Sequence, residues 1–253
     1  MKKKSIPRHF PYQHPTFGTA KRPKPAFAWE GSVYYWWWSY LKRNTNYLAC
    51  CDAGGTGALA SLYEDFGDVR GDDFKAWWSE DGRGVRLFAE PRAEETVRVL
   101  QTDEQAANAS EVVTLSLPLY LPKKFLLKRC RELLSALHTG KRGKQQAKLS
   151  KAKYRIKGQP NIPALRQALM VYDAIKEAEG IKPKKPYWKI AMDLRIVEKK
   201  MRIQPADTAA ESADKRNVLT AIVGRYKKRV EEYIKATSHG AFIWFAIIKA
   251  LNA

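Results

Sequence analysis

The stretch "SVYYWWWSYLKRNTNY" (residues 32–47) sets three tryptophans in a row among tyrosines and follows them at once with Lys42, Arg43 and Asn44. Its reading decides the fold, because such rings either build a core or form a platform on which bases stack. With helical spacing, Tyr35, Trp38, Leu41 and Leu48 fall near one face, and Lys42, Arg43, Asn44 and Asn46 fall on another. The surrounding region, residues 29–110, carries eight Lys/Arg against fourteen Asp/Glu. A single-strand stacking platform sits in a basic groove, so the balance favours a core, with residues 42–44 as its exposed edge and Arg43 within reach of DNA.

Working outward, helices are expected over Ala58–Asp65 and over Asp72–Ser79, the latter carrying Trp77 and Trp78. A short strand in "GRGVRLFAEP" (82–91), closed by Pro91, completes a small aromatic module spanning residues 29–105. Before it, residues 1–28 hold seven Lys/Arg, no acid and Pro7, Pro11, Pro15, Pro23 and Pro25. That composition reads as a flexible basic arm. Residues 106–160 read as a strand in "ASEVVTLSLPLYLP" (109–122), then a basic amphipathic helix and a basic loop. The helix, in "KKFLLKRCRELLSALHTG" (123–140), has an apolar face of Phe125, Leu126, Leu133, Leu134 and Leu137 and a stop at Gly140. In the loop, Lys144, Lys148, Lys151 and Lys153 are placed to track phosphates; the alternative for such a charge run is plain solvation.

Residues 161–253 read as helical. Pro163 opens a helix over 162–180 with Leu165, Ala168, Leu169, Tyr172 and Ile175 on one face. A short helix follows in "PYWKIAMDLRI" (186–196), and "ADTAAESADKRN" (206–217) reads as a loop entering a helix over 213–237. Two packed helices followed by one whose first turn is basic and polar is the layout of a helix-turn-helix reader. The expected base contacts are Lys215, Arg216, Asn217 and Thr220, and the expected backbone contacts are Arg225, Lys228 and Arg229. The apolar tail "GAFIWFAIIKALNA" (240–253) is a candidate dimer or partner contact.

Over 253 residues the formal net charge is +20, which calls for an anionic partner, nucleic acid being the commonest. Cys50, Cys51 and Cys130 have neither a disulfide framework nor metal-ligand spacing. The longest apolar run, Ala241 to Ile248, falls short of the roughly 20 residues that span a bilayer. The expectation is a cytoplasmic, nucleoid-associated protein with no membrane partner. Chemistry finds little support. The acidic run "YEDFGDVRGDDFK" offers Glu64, Asp65, Asp68, Asp72, Asp73 and Lys75 for a magnesium site, but helix caps explain these acids more simply. "DAGGTGAL" (52–59) lacks the Lys-Ser/Thr of a phosphate loop, and His9, His14, His138 and His239 are scattered. No catalytic residue, metal or cofactor is expected.

Trp37, Trp38, Tyr40, Leu41, Arg43, Asn44 and Tyr47 form a "WWxYLxRNxxY" pattern, followed by "LFAEP", "LxVYDAI", "YWKIAxDL" and "RYxKRxxxYIKA". In this order the chain resembles the two-part transcriptional-regulator-like proteins of integrative and conjugative elements. The resemblance implies an N-terminal aromatic module followed by a helix-turn-helix-like DNA-binding domain, and a role in transcription regulation. The expected architecture is therefore α+β, mostly helical, with a small aromatic-rich N-terminal module and a C-terminal helix-turn-helix-like domain. The expected function is sequence-specific binding of double-stranded DNA without catalysis. A non-catalytic accessory factor in mobile-element replication, partition or recombination, with a protein partner, is the alternative; an RNA or single-strand binder is the third.

Overall fold

The computed structural model describes residues 9–19, 21–25, 27–91, 113, 115–137, 150–240 and 242–243. The described chain is mostly helical. Helices α1 (Phe27–Glu30), α2 (Val33–Leu41), α3 (Thr45–Asp52), α4 (Ala60–Phe66), α5 (Phe74–Ser79) and α6 (Arg83–Phe88) make up the aromatic part. Then come α7 (Lys123–Leu137), α8 (Ile162–Glu179), α9 (Tyr187–Asp193) and α10 (Ala209–Ser238). Two residue pairs are extended: β1 (Gly18–Thr19) runs antiparallel to β2 (Arg22–Pro23), and β3 (Ile156–Lys157) runs parallel to β4 (Phe242–Ile243).

Helix α2 is the hub. Its sequence, VYYWWWSYL, is apolar on nearly every side, and such a helix is stable only when surrounded. Trp37, Tyr40 and Leu41 have no exposed surface, and Trp36 and Trp38 are almost as deep. The opening question is settled by that burial: the rings are core. On one side Tyr34 lies 4.8 Å from Phe88 and 5.7 Å from Trp78, while Trp37 stacks on Phe66 at 5.9 Å. On the other side Tyr40 meets Tyr233 of α10 edge-on at 5.7 Å and donates to the Leu165 carbonyl of α8 at 3.0 Å. Offset and edge-on ring pairs of this kind add to simple area burial.

The helix expected to run on through Lys42 breaks there. Asn44 caps α3, its side chain accepting from the Tyr47 amide at 3.1 Å, while its Nδ2 donates to the Ile234 carbonyl of α10 at 2.9 Å. Arg43 grips Asp173 of α8 through two nitrogens, at 2.7 and 2.5 Å. The residues expected as an exposed edge are thus the joint between the aromatic helices and the C-terminal ones. The two expected modules share one buried cluster that runs from Val33 to Ile234.

Several local expectations change. Residues 82–91 hold helix α6, not a strand. Consecutive Leu87 and Phe88 are both buried, and a short apolar run closed by proline is ambiguous between strand and buried helix. Gly84 is needed there, since a Cβ would sit 2.2 Å from the Trp78 ring. The described part of the second expected strand, residue 113 and residues 115–122, has no strand pairing, and the Leu121 amide turns back to the Pro118 carbonyl at 3.0 Å. The basic arm is in part packed. Phe10 lies 5.8 Å from Tyr34, the Ser32 hydroxyl donates to the Gln13 carbonyl at 2.8 Å, and Pro15 is buried. Residues 244–253 of the apolar tail lie outside the described residues.

The C-terminal helices depart most from expectation. Helix α10 begins at Ala209, inside the expected loop, because Thr208 and Glu211 form a reciprocal capping box. The α9–α10 connection runs through residues 194–208 with a 3-10 turn at Lys199–Met201. A helix-turn-helix joins its helices by about 3–4 residues, so this pair lacks the tight turn.

Candidate nucleic-acid interface

The site is built on the outer face of α10. Leu219, Ile222, Val223, Tyr226, Val230 and Tyr233 point into the core, and α9 and α8 pack along both flanks. At 3.6 residues per turn, Asn217, Ala221, Arg225 and Lys228 line up on the opposite side, and all four are exposed. Gly224 sits within this ridge, and a Cβ built on it would meet nothing. The ridge therefore has a small-residue centre flanked by cations, a shape that lets a helix backbone approach another surface closely. Glu231 and Glu232, also exposed, mark its C-terminal limit.

The expected contact residues separate into groups. Lys215 and Arg216 leave α10 on opposite edges of its buried stripe. Lys215 Nζ lies 2.7 Å from Asp207; the Gln204 amide and Lys215 together hold the Asp207 carboxyl below the usual carboxylate range. This lysine pins the connection preceding α10. Arg216 instead lays its guanidinium over the Trp188 ring of α9, 5.3 Å from its centroid. Asn217 and Thr220 are exposed in the third and fourth turns of the helix, not the first. Arg216, Lys228 and Arg229 enter no ion pair among the described residues. Arg225 Nε donates to the Ala221 carbonyl, a weak bond at 3.4 Å.

Outside α10 the expected cations are largely occupied. Arg43 is committed to Asp173, and Lys153 lies 2.6 Å from Asp65. Lys151 is exposed, its backbone amide bonded to Glu90 at 2.7 Å. Lys144 and Lys148 lie outside the described residues. Lys227, next to the expected contact Lys228, bonds Glu179 at 3.1 Å and tethers α10 to α8. The signal that would have relocated the reader turn was the Thr208-x-x-Glu211 spacing, a helix-start pattern plain in the sequence.

The acidic run serves structure. Asp65 accepts from Tyr154 and Lys153, both at 2.6 Å; Asp68 bonds Arg70; Asp72 takes Lys42; and Asp73 caps α5. Side-chain bonds from Arg70 and from Lys42 hold the Asp68 and Asp72 carboxyls low, the state of acids used as ion-pair partners. Among the described residues, no group of three or more His, Cys, Asp or Glu is placed to hold a metal. No described helix is long and apolar enough to cross a membrane. No family model, curated protein or solved structure matches the chain.

Proposed function

We propose that the protein binds double-stranded DNA through the outer ridge of α10, as a regulator of a mobile genetic element. The observation that supports this most is the ridge itself: Asn217, Ala221, Gly224, Arg225 and Lys228 on one exposed face, with Arg216 and Arg229 at its edges. Arg225, Lys228 and Arg229 are placed to contact phosphates, while Asn217 and Thr220 present side-chain donors and acceptors of the kind that read base edges. Arg216, held flat by Trp188, offers a fixed fork to a phosphate. Lys215 contributes by ordering the approach to α10 rather than by touching DNA. The likeness of residues 37–47 to mobile-element regulators supports the regulatory role. The single-strand reading loses its main support, since the tryptophans it needs for stacking are buried.

The test is fluorescence anisotropy of the whole protein with duplex from its genomic neighbourhood, scrambled duplex, single-stranded DNA and RNA over a salt series. A preference for one duplex that survives rising salt is the expected result. Arg225→Ala and Lys228→Ala should each lower the salt slope by about one. Equal, steeply salt-sensitive binding to all four ligands, unaffected by either variant, would refute the assignment.

A further inference from the structure

Among the described residues, the exposed large apolar side chains are concentrated in one segment. Leu115, Leu117, Leu119, Tyr120, Phe125, Leu127, Leu133, Leu134 and Leu137 are all exposed, Leu119 and Tyr120 to 87%. Helix α7 has no buried residue at all. Yet its pattern is strongly two-faced. At 100° per residue, Leu126, Leu127, Cys130, Leu133, Leu134 and Leu137 share one stripe, Arg129 flanks it on one side and Arg131 and Lys124 on the other, and Lys128 and Glu132 lie opposite. Glu132, the acid of this helix, is neutralised by Arg129 at 2.8 Å.

We propose that α7, with the apolar residues just before it, is a docking surface for an anionic lipid bilayer, lying in the plane of the headgroups. Charge decides the occupant. Packed stripe to stripe, a second copy of α7 would bring the flanking Arg129 and Arg131 beside their own counterparts, so self-pairing is opposed by repulsion. The lysines at the start of the helix also oppose its own dipole, with no acid in the first turn. A negative surface relieves both penalties. Extent points the same way: exposed apolar side chains continue into the chain just before the helix, at Leu115, Leu117, Leu119 and Tyr120, more than one groove would cover and suited to a flat interface. A basic helix with leucines on the other face is the pattern of helices that lie on membranes. The expectation of no membrane partner came from span length, which does not bear on a helix lying along the surface.

The test uses the full chain with vesicles of phosphatidylcholine alone and of equal parts phosphatidylglycerol and phosphatidylcholine, at low and high salt. Cys50 and Cys51 are buried and Cys130 is partly exposed, so an environment-sensitive dye on Cys130 reports the apolar stripe. Two results are expected: co-sedimentation with the anionic vesicles that persists in part at high salt, and a blue shift of the dye. The L133S/L134S double variant leaves the charge unchanged and should bind at least about tenfold more weakly, with an unchanged melting temperature because α7 lies outside the core. Variant binding equal to that of the parent, or an unshifted dye, would mean that net charge alone adsorbs the protein, and would overturn the proposal. So would dimerisation in solution that the double variant abolishes, which would assign the stripe to a second copy.

Discussion

Helices α2 and α7 each carry eight apolar side chains, in nine residues and in fifteen, and their fates are opposite. In α7 the leucines form one clean stripe with cations behind it, the pattern that normally announces a core-facing helix; none of it is buried. In α2 the rings run round the whole helix, which blurs any facial pattern, and eight of its nine residues are buried. Periodicity shows that a helix has a face. What covers that face is decided by the rest of the chain, and α2 is surrounded because α4, α5 and α6 supply rings on one side and α8 and α10 close the other.

The largest test of this contrast is truncation. Trp37→Ala should cost about 3–5 kcal/mol, whereas Leu134→Ala should fall within about 0.5 kcal/mol of the parent; chemical denaturation of both variants measures the difference. Comparable losses would mean that α7 packs on the core after all. High pH provides a second test. Burial raises the phenols of Tyr34, Tyr40 and Tyr47 far above their usual range. Groups whose folded pKa is raised contribute stability that is complete below the unfolded value of about 10 and is lost as pH climbs through the folded one. Melting temperature should therefore hold up to about pH 10 and fall above it, with spectroscopic tyrosine ionisation coinciding with unfolding. Phenolate formation in the folded protein near the ordinary pKa would contradict the burial of α2.

A smaller effect probes the joint between the two halves. Asn44→Asp keeps the cap acceptor for α3 but cannot donate to the Ile234 carbonyl, while Asn44→Ala loses both. The alanine variant should cost about 1–2 kcal/mol, combining a cap of about 1 with one lost hydrogen bond between the helices, since the Ile234 carbonyl keeps the Thr237 hydroxyl at 2.6 Å. The unfolding transition should remain single, because the helices on both sides share one core; two separate transitions would restore the two-module picture. The smallest stability effect belongs to the α10 ridge. Lys228→Ala should leave the melting temperature nearly unchanged while lowering the salt dependence of DNA binding by about one. Loss of stability without a change in slope would recast the ridge as structural.

Legibility followed chemistry that is local. The helices over 162–179 and 187–193 could be read from apolar spacing, Pro163 and Gly180, and the core role of the tryptophans from their acidic surroundings. Helix α6 was misread because Leu87 and Phe88 are apolar neighbours, and only Trp78 resting on Gly84 shows why the backbone coils there. The start of α10 was legible in Thr208 and Glu211 and was missed. The fates of Arg43, Lys153 and Lys215 could not be read from sequence. Their acids, Asp173, Asp65 and Asp207, are brought to them by the fold, two of them from far along the chain.

By itself, then, the sequence determined that this is a mostly helical protein with a strong positive charge, an aromatic core and one basic amphipathic helix. These follow from composition and from spacing within single elements. The tertiary structure decided which cations are consumed by internal acids and that Lys228 stays exposed on the α10 ridge. It also decided that residues 42–44 form a joint rather than an edge, and that the apolar stripe of α7 is left exposed by the described residues. Those outcomes depend on which surfaces meet, a property of the packed chain that spacing along one helix does not contain.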